Sequence, residues 1–143
     1  MNSKEHFQQV PGQLRAAIET QWQLFTEAGI DVSSIPGEII AALPKVWACS
    51  EFVMLTSVRN PEMFLELAQS GDLTASYDWE QYNQSIITDF KQGDEAALNK
   101  HLRLFRRREM LRIIWRDISG WADLKETTAD LSHMAEACID YSL

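Results

Sequence analysis

Seven of the chain's thirteen basic residues fall in one stretch, Lys100, Arg103, Arg106, Arg107, Arg108, Arg112 and Arg116, with Glu109 the single acid among them. Guanidinium groups grip carboxylates and phosphates through paired hydrogen bonds. Six arginines within fourteen positions could therefore form a site for a phosphate, a nucleotide or the acidic surface of a partner. The stretch carries +6 while the remainder of the chain carries −14, which favours a different use, ion pairs inside the fold. Glu109 stands three residues from both Arg106 and Arg112, the spacing of neighbours on a helix surface, and half of the arginines sit between apolar positions. Internal pairing is the expected role of this set; which arginines point outward is not legible from spacing.

Those side chains need a helix to carry them. The run from Leu98 to Trp121, LNKHLRLFRRREMLRIIWRDISGW, wound at about 100° per residue, places Leu98, Leu102, Phe105 and Ile113 on one side. Leu104, Leu111, Trp115 and Ile118 fall on another. A helix apolar on more than one face is packed on more than one side, so several guanidinium groups must run along buried surface and end on carboxylates or carbonyls. Asp94 is the expected cap of this helix, and Asp117 to Gly120 its end or kink. A last helix is predicted from about Leu124 to Tyr141, with Leu131, Met134, Ala135, Cys138 and Ile139 toward the core. Trp115 is expected to anchor the seam between the two.

Upstream, proline and glycine punctuate further helices. Pro11-Gly12 opens a segment to Ala28 that closes at Gly29, with Leu14, Ile18, Trp22 and Phe25 in one stripe. Pro36-Gly37 starts a short helix through Leu43, and Pro44 begins the next, Lys45 to Val58, with Val46, Cys49 and Val53 inward. Asn60-Pro61 forces a boundary, a short helix runs to about Gln69, and after a loop from Asp72 to Tyr77, Asp78 caps a helix from Trp79 to Lys91. Ser70-Gly71-Asp72 and Gln92-Gly93-Asp94 read as C-cap glycines followed by N-cap aspartates. Strand-like alternation, internal repeats and low-complexity tracts are absent from the sequence. The prediction is an all-α fold, an antiparallel bundle of about six to seven helices, with residues 1–143 as a single helical domain.

Composition narrows the partners. A net charge of −8 argues against nonspecific binding to nucleic acid or an anionic membrane, because phosphate-tracking surfaces carry a surplus of positive charge. The first ten residues carry charge and no apolar run, and the most apolar stretch, Val46 to Val58, is interrupted by Glu51 and too short to span a bilayer. A cytoplasmic location is expected. Cys49 and Cys138 lack a CxxC partner and read as buried packing residues in a reducing compartment. His6, His101 and His133 share no metal-ligand spacing, and neither a G-x-S-x-G elbow nor a glycine-rich phosphate loop occurs. Trp22, Trp47, Trp79, Trp115 and Trp121 stand at helical offsets from other apolar residues and read as core anchors.

One longer pattern remains. Leu102 to Trp115, in the form L-R-x-F-R-R-R-x-M-x-R-I-x-W, is followed by an acidic stretch and then by Leu131-Ser132-His133-Met134-Ala135-Glu136-Ala137-Cys138-Ile139. This order resembles the N-terminal part of the bifunctional glutamine synthetase adenylyltransferase/adenylyl-removing enzymes, specifically from Leu98 onward and loosely before Glu95. The resemblance implies two nucleotidyltransferase units with helical companions, which attach AMP to a tyrosine of glutamine synthetase and remove it by phosphorolysis, removal belonging to the N-terminal unit. It further implies that this chain is the helical lead-in to the removing unit, preceding a nucleotidyltransferase domain that lies outside it, and noncatalytic alone. Such units hold Mg²⁺ on carboxylates after a Gly-Ser turn, and the G-S-x-x-D motif does not occur here. Mg²⁺ and ATP are thus implied for the parent enzyme and no cofactor for this segment. The implied partners are that nucleotidyltransferase domain, glutamine synthetase and the PII signalling protein, in the regulation of nitrogen metabolism. The competing expectation is an independent helical module that binds an acidic or phosphorylated protein through the arginine-rich helix.

Overall fold

The computed structural model describes residues 10–80 and 95–142. Most of the helix expected from Trp79 to Lys91, the Asp94 cap, the Gln92-Gly93-Asp94 string and His6 lie outside the described residues. Within them stand six α-helices and no strand: α1 (Gly12–Glu27), α2 (Gly37–Cys49), α3 (Glu51–Arg59), α4 (Pro61–Ser70), α5 (Glu95–Ile118) and α6 (Leu124–Ser142), with a 3-10 turn at Val32–Ser34. The chain is all-α, as predicted.

Helix boundaries follow the punctuation with one exception. Gly29 and Gly71 take left-handed φ values of 82° and 87° just past α1 and α4, a conformation in which a side chain would strain the backbone. Pro61 stands at the first position of α4, where its missing N–H would have no partner anyway. The exception is Pro44, which lies inside α2 rather than at a boundary. An interior proline costs roughly 3 kcal/mol, and the buried stripe Ile39, Ile40, Leu43, Val46 and Trp47 that spans it offsets that cost. The break falls instead at Ser50, whose extended backbone ends α2 and whose Oγ accepts the Val53 N–H at 3.2 Å to cap α3. Ser50→Ala should lower stability by about 1 kcal/mol and Ser50→Gly by a few tenths, readable as ordered shifts in urea midpoint.

Two clusters form the core. The larger joins α1 to α4 with one face of α5, through Ile18, Phe25, Leu43, Trp47, Val53, Phe64, Leu67, Leu111 and Trp115. Edge-on aromatic contacts run through it, Phe25 to Trp47 at 6.1 Å and Phe25 to Phe64 at 5.6 Å, and Phe64 meets Trp115 at 5.5 Å. The smaller cluster, Trp79, Phe105, Ile113, Met134 and Ala137, lies between α5 and α6. So α5 is packed on both sides, as its two apolar stripes require.

Several inward assignments need correction. Trp115 is buried, but against Phe64 of α4 and not in the α5–α6 seam. Cys49 is exposed and Cys138 half-buried, because the inward face of α2 runs through Val46 and Trp47 and turns Cys49 outward. On α6 the inward positions are Asp130, Met134 and Ala137, while Leu131 and Ile139 are 40% and 60% exposed. Leu14 and Leu104 are also exposed. The five tryptophans divide, with Trp47, Trp79 and Trp115 buried and Trp22 and Trp121 half-buried.

Candidate functional site

Arg108, Arg112 and Arg116 recur every four residues along α5, so they project as one ladder from the same face. They meet the loop at 71–77 between the end of α4 and Asp78. A loop with no ladder of its own must find partners for its carbonyls. Here guanidinium groups supply them. Arg112 Nε donates to the Asp72 carbonyl at 2.9 Å and its Nη2 to the Ala75 carbonyl at 2.5 Å, and Arg116 Nη1 donates to the Leu73 carbonyl at 3.2 Å.

Carboxylates complete each rung. Arg108 holds Glu66 through Nε and Nη2 at 2.9 and 3.1 Å, Asp72 at 2.6 Å and Glu109 at 3.1 Å. Arg112, fully buried, pairs through Nη1 with Asp130 of α6 at 3.3 Å and approaches Glu109 at 4.0 Å. Asp130 is itself buried, and its second oxygen accepts the Trp79 indole N–H at 2.7 Å. Arg116 Nη2 reaches Glu126 at 3.0 Å and the Trp121 carbonyl at 3.2 Å, and Glu126 also accepts the Ser76 hydroxyl. The pairs 112 with 130 and 116 with 126 run in opposite directions, which fixes α5 and α6 as antiparallel. Asp72 was expected to cap a following helix; it belongs to a turn and takes Arg108 instead.

Tyr77 sits within the ladder. Its ring stacks under the Arg112 guanidinium at 3.4 Å, a cation–π contact. Its hydroxyl accepts from Arg108 and donates to Glu109, both at 3.1 Å. Burial, reinforced by the neighbouring Glu109 charge, pushes the phenol far above its ordinary range, so it stays a neutral donor. At Arg108 burial works against the charge, but hydrogen bonds to Glu66 and Asp72 outweigh it and hold the group protonated.

Glu126 gives the ladder a pH dependence. Burial raises its pKa, yet the hydrogen bond from Ser76 and the contact with Arg116 outweigh that and leave it below the ordinary value. A carboxyl depressed in the folded state contributes stability above its unfolded pKa of about 4.3, and loses it as pH falls through the folded value. Thermal melts should therefore fall more steeply between about pH 5 and about pH 3 for the parent than for Glu126→Gln.

The remaining candidates part company with these three. Arg107 donates to the Asn60 side-chain carbonyl at 3.2 Å. Arg103 and Arg106 are exposed, on the side of α5 that faces Cys138, and Arg106 does not reach Glu109. Sequence reading missed Tyr77, Glu66, Asp72, Glu126 and Asp130 as ladder partners. Asp130 alone left a signal, since it occupies the inward stripe of α6 four residues before Met134. Chemically, the ladder is a structural clamp, with most of its donors committed to protein groups; the buried Arg116 Nε makes no hydrogen bond with a described residue. Among the described residues no three histidines, cysteines or carboxylates gather closely enough to hold a metal ion. No described helix is long and apolar enough to cross a membrane.

Comparison with known proteins adds family context. A family model described as glutamate-ammonia ligase adenylyltransferase matches residues 40–143, well upstream of the Leu98 limit of the sequence resemblance. Over 148 aligned residues the chain is 34% identical to a protein of Nitrosococcus oceani named bifunctional glutamine synthetase adenylyltransferase/adenylyl-removing enzyme, covering 100% of the chain and 15% of that relative. Proteins of the same name from Thioalkalivibrio sulfidiphilus and Pseudomonas aeruginosa are 46% and 41% identical, over 69% and 73% of the chain and 10% and 11% of their own lengths. The chain thus spans only 10% to 15% of these curated relatives. No solved structure matches it.

Proposed function

Because the chain belongs to the glutamate-ammonia ligase adenylyltransferase family, we propose that it is the N-terminal helical region of an enzyme that adenylylates and deadenylylates glutamine synthetase. In this reading it supports the deadenylylating half and is noncatalytic alone. The supporting observation is the committed arginine ladder: Arg108, Arg112 and Arg116, the groups best suited to grip a phosphate, are consumed by Glu66, Asp72, Glu109, Asp130, Glu126 and loop carbonyls. A guanidinium so engaged stiffens a scaffold and offers no transition-state contact. Mg²⁺ and ATP chemistry, the nucleotidyltransferase domain and any contact with PII belong, on this reading, to the parent protein in the cytoplasm.

Two measurements test the proposal. The chain incubated with Mg²⁺, phosphate and adenylylated glutamine synthetase should release no ADP above a blank; release that scales with chain concentration would refute it. Deleting the matched segment from the Nitrosococcus oceani protein should depress AMP removal more than AMP attachment. Equal losses would refute the assignment to the deadenylylating half.

The independent interaction module keeps one supporting observation, the exposed pair Arg103 and Arg106.

A further inference from the structure

The clamp joins two cores. Leu73, completely buried, belongs to the larger cluster, while Tyr77 and Trp79 pack in the smaller one beside Met134, Ala137 and Cys138 of α6. The chain thus crosses from one core to the other between Leu73 and Tyr77. Past that crossing it is tied to α6 twice, by the Ser76 hydroxyl on Glu126 and by the Trp79 indole N–H on Asp130 at 2.7 Å. These are the two carboxylates that α6 gives to Arg116 and Arg112. Residues 76–79 and α6 therefore share their anchors on α5, although the bonded pairs stand 50 and 51 residues apart in sequence.

The α5 side of the ladder does not need these two segments to stay. Without Asp130, Arg112 keeps the Asp72 and Ala75 carbonyls at 2.9 and 2.5 Å, and without Glu126, Arg116 keeps the Leu73 and Trp121 carbonyls, both at 3.2 Å. Lifting residues 76–79 also takes the Tyr77 hydroxyl off Arg108 and Glu109 and its ring off Arg112. Those three charges still have one another on α5, Glu109 at 3.1 Å from Arg108 and 4.0 Å from Arg112, so no cation is stranded. A hinge is in place. Gly120, at a φ of 75°, follows α5, and the Trp121 and Ala122 N–H groups both donate to the Arg116 carbonyl at 2.9 and 3.2 Å, which ties the turn to α5. The next helix, α6, starts afresh from Asp123, whose carboxylate accepts the Glu126 N–H at 2.8 Å. We propose that residues 76–79 and α6 form one flap that opens from α5 as a unit about the Gly120 turn, while the larger cluster stays folded. Opening bares Phe105 and Ile113 of α5 and one side of Arg112 and Arg116.

Native-state hydrogen exchange on the 143-residue chain, read by NMR where exchange follows the opening equilibrium, tests the flap. The Trp79 indole N–H reports on residues 76–79, the Met134 and Ala137 amides on α6, and the Val46 and Leu67 amides on the larger cluster. The flap reporters should share one protection factor within about threefold and stand at least about tenfold below the core reporters. Urea below the unfolding transition should erode flap protection with the shallower slope, since opening the flap exposes less surface than unfolding the chain. Two mild substitutions separate the events. Ile39→Val, in the larger cluster, removes a methyl group from a contact that the open form retains, so it should lower core protection about fivefold and leave the flap reporters unchanged. Glu126→Gln should lower the Trp79 indole and the α6 amides by one common factor. Equal protection and equal urea slopes for flap and core would overturn the proposal, as would any loss of flap protection in Ile39→Val. A Glu126→Gln effect missing from either flap reporter would show that the two segments do not move together, and would overturn it too.

Discussion

Arg112→Ala should be among the most damaging single substitutions in this chain, while Arg106→Ala should be nearly silent. Arg112 is fully buried, and its guanidinium joins three elements: the 71–77 loop through two carbonyls and the ring of Tyr77, Asp130 of α6, and Glu109 of its own helix. Truncation strands a buried carboxylate at Asp130, removes the Ala75 carbonyl's guanidinium donor and leaves the Asp72 carbonyl only the 3.4 Å bond from the Ala75 N–H. Breaking a buried pair from one side costs about 3–5 kcal/mol, and the lost carbonyl partners add to that. Chains of this size hold roughly 5–15 kcal/mol in reserve, so Arg112→Ala should lower the melting temperature by about 10 °C or more, or fail to accumulate as soluble protein. Arg106, exposed and unpaired among the described residues, should stay within about 0.5 kcal/mol of the parent. A companion variant, Arg112→Lys, keeps the charge but not the fork, and should recover only part of the loss. Overlapping melts for parent and Arg112→Ala would mean that the ladder carries no structural load.

Trp115→Ala should cost about 3–5 kcal/mol through the cavity it leaves. The indole is completely buried and lies 5.5 Å from the Phe64 ring. Its neighbours belong to the larger cluster, so its coupling should be to α4 and not to α6. A double-mutant cycle with Phe64→Leu should show interaction energy of about 0.5–3 kcal/mol, whereas one with Met134→Ala, in the separate cluster, should be additive within about 0.5 kcal/mol. Coupling to Met134 and none to Phe64 would contradict the two-cluster core. Truncating Trp115 has one compensation, because its indole N–H makes no hydrogen bond with a described residue; nothing polar is stranded when it goes.

The all-α class, most helix ends and the two-sided burial of α5 were legible before any coordinates, because each depends on residues close in sequence. Capping, glycine at left-handed φ and the 3.6-residue stripe are local rules. Pro44 shows where such rules stop: a helix-breaking residue was overruled by a buried stripe whose partners lie on other helices. The arginines show the same limit. Their number and the expectation of internal pairing came from composition, and the family resemblance came from the order of motif residues from Leu102 to Ile139.

Apart from the approach of Arg112 to Glu109 three residues away, which guanidinium meets which carboxylate was a matter of folding. Glu66, Asp72 and Tyr77 stand 31 to 42 residues from Arg108, and no periodicity on α5 points across such a distance. Charge on a helix is periodic in sequence, but its neutralisation requires two elements to pack. Only when the 71–77 loop lay along α5, and α6 ran back antiparallel, did Arg108, Arg112 and Arg116 become a clamp. The same packing left Arg103 and Arg106, chemically identical and only five and two residues before Arg108, facing out of the fold.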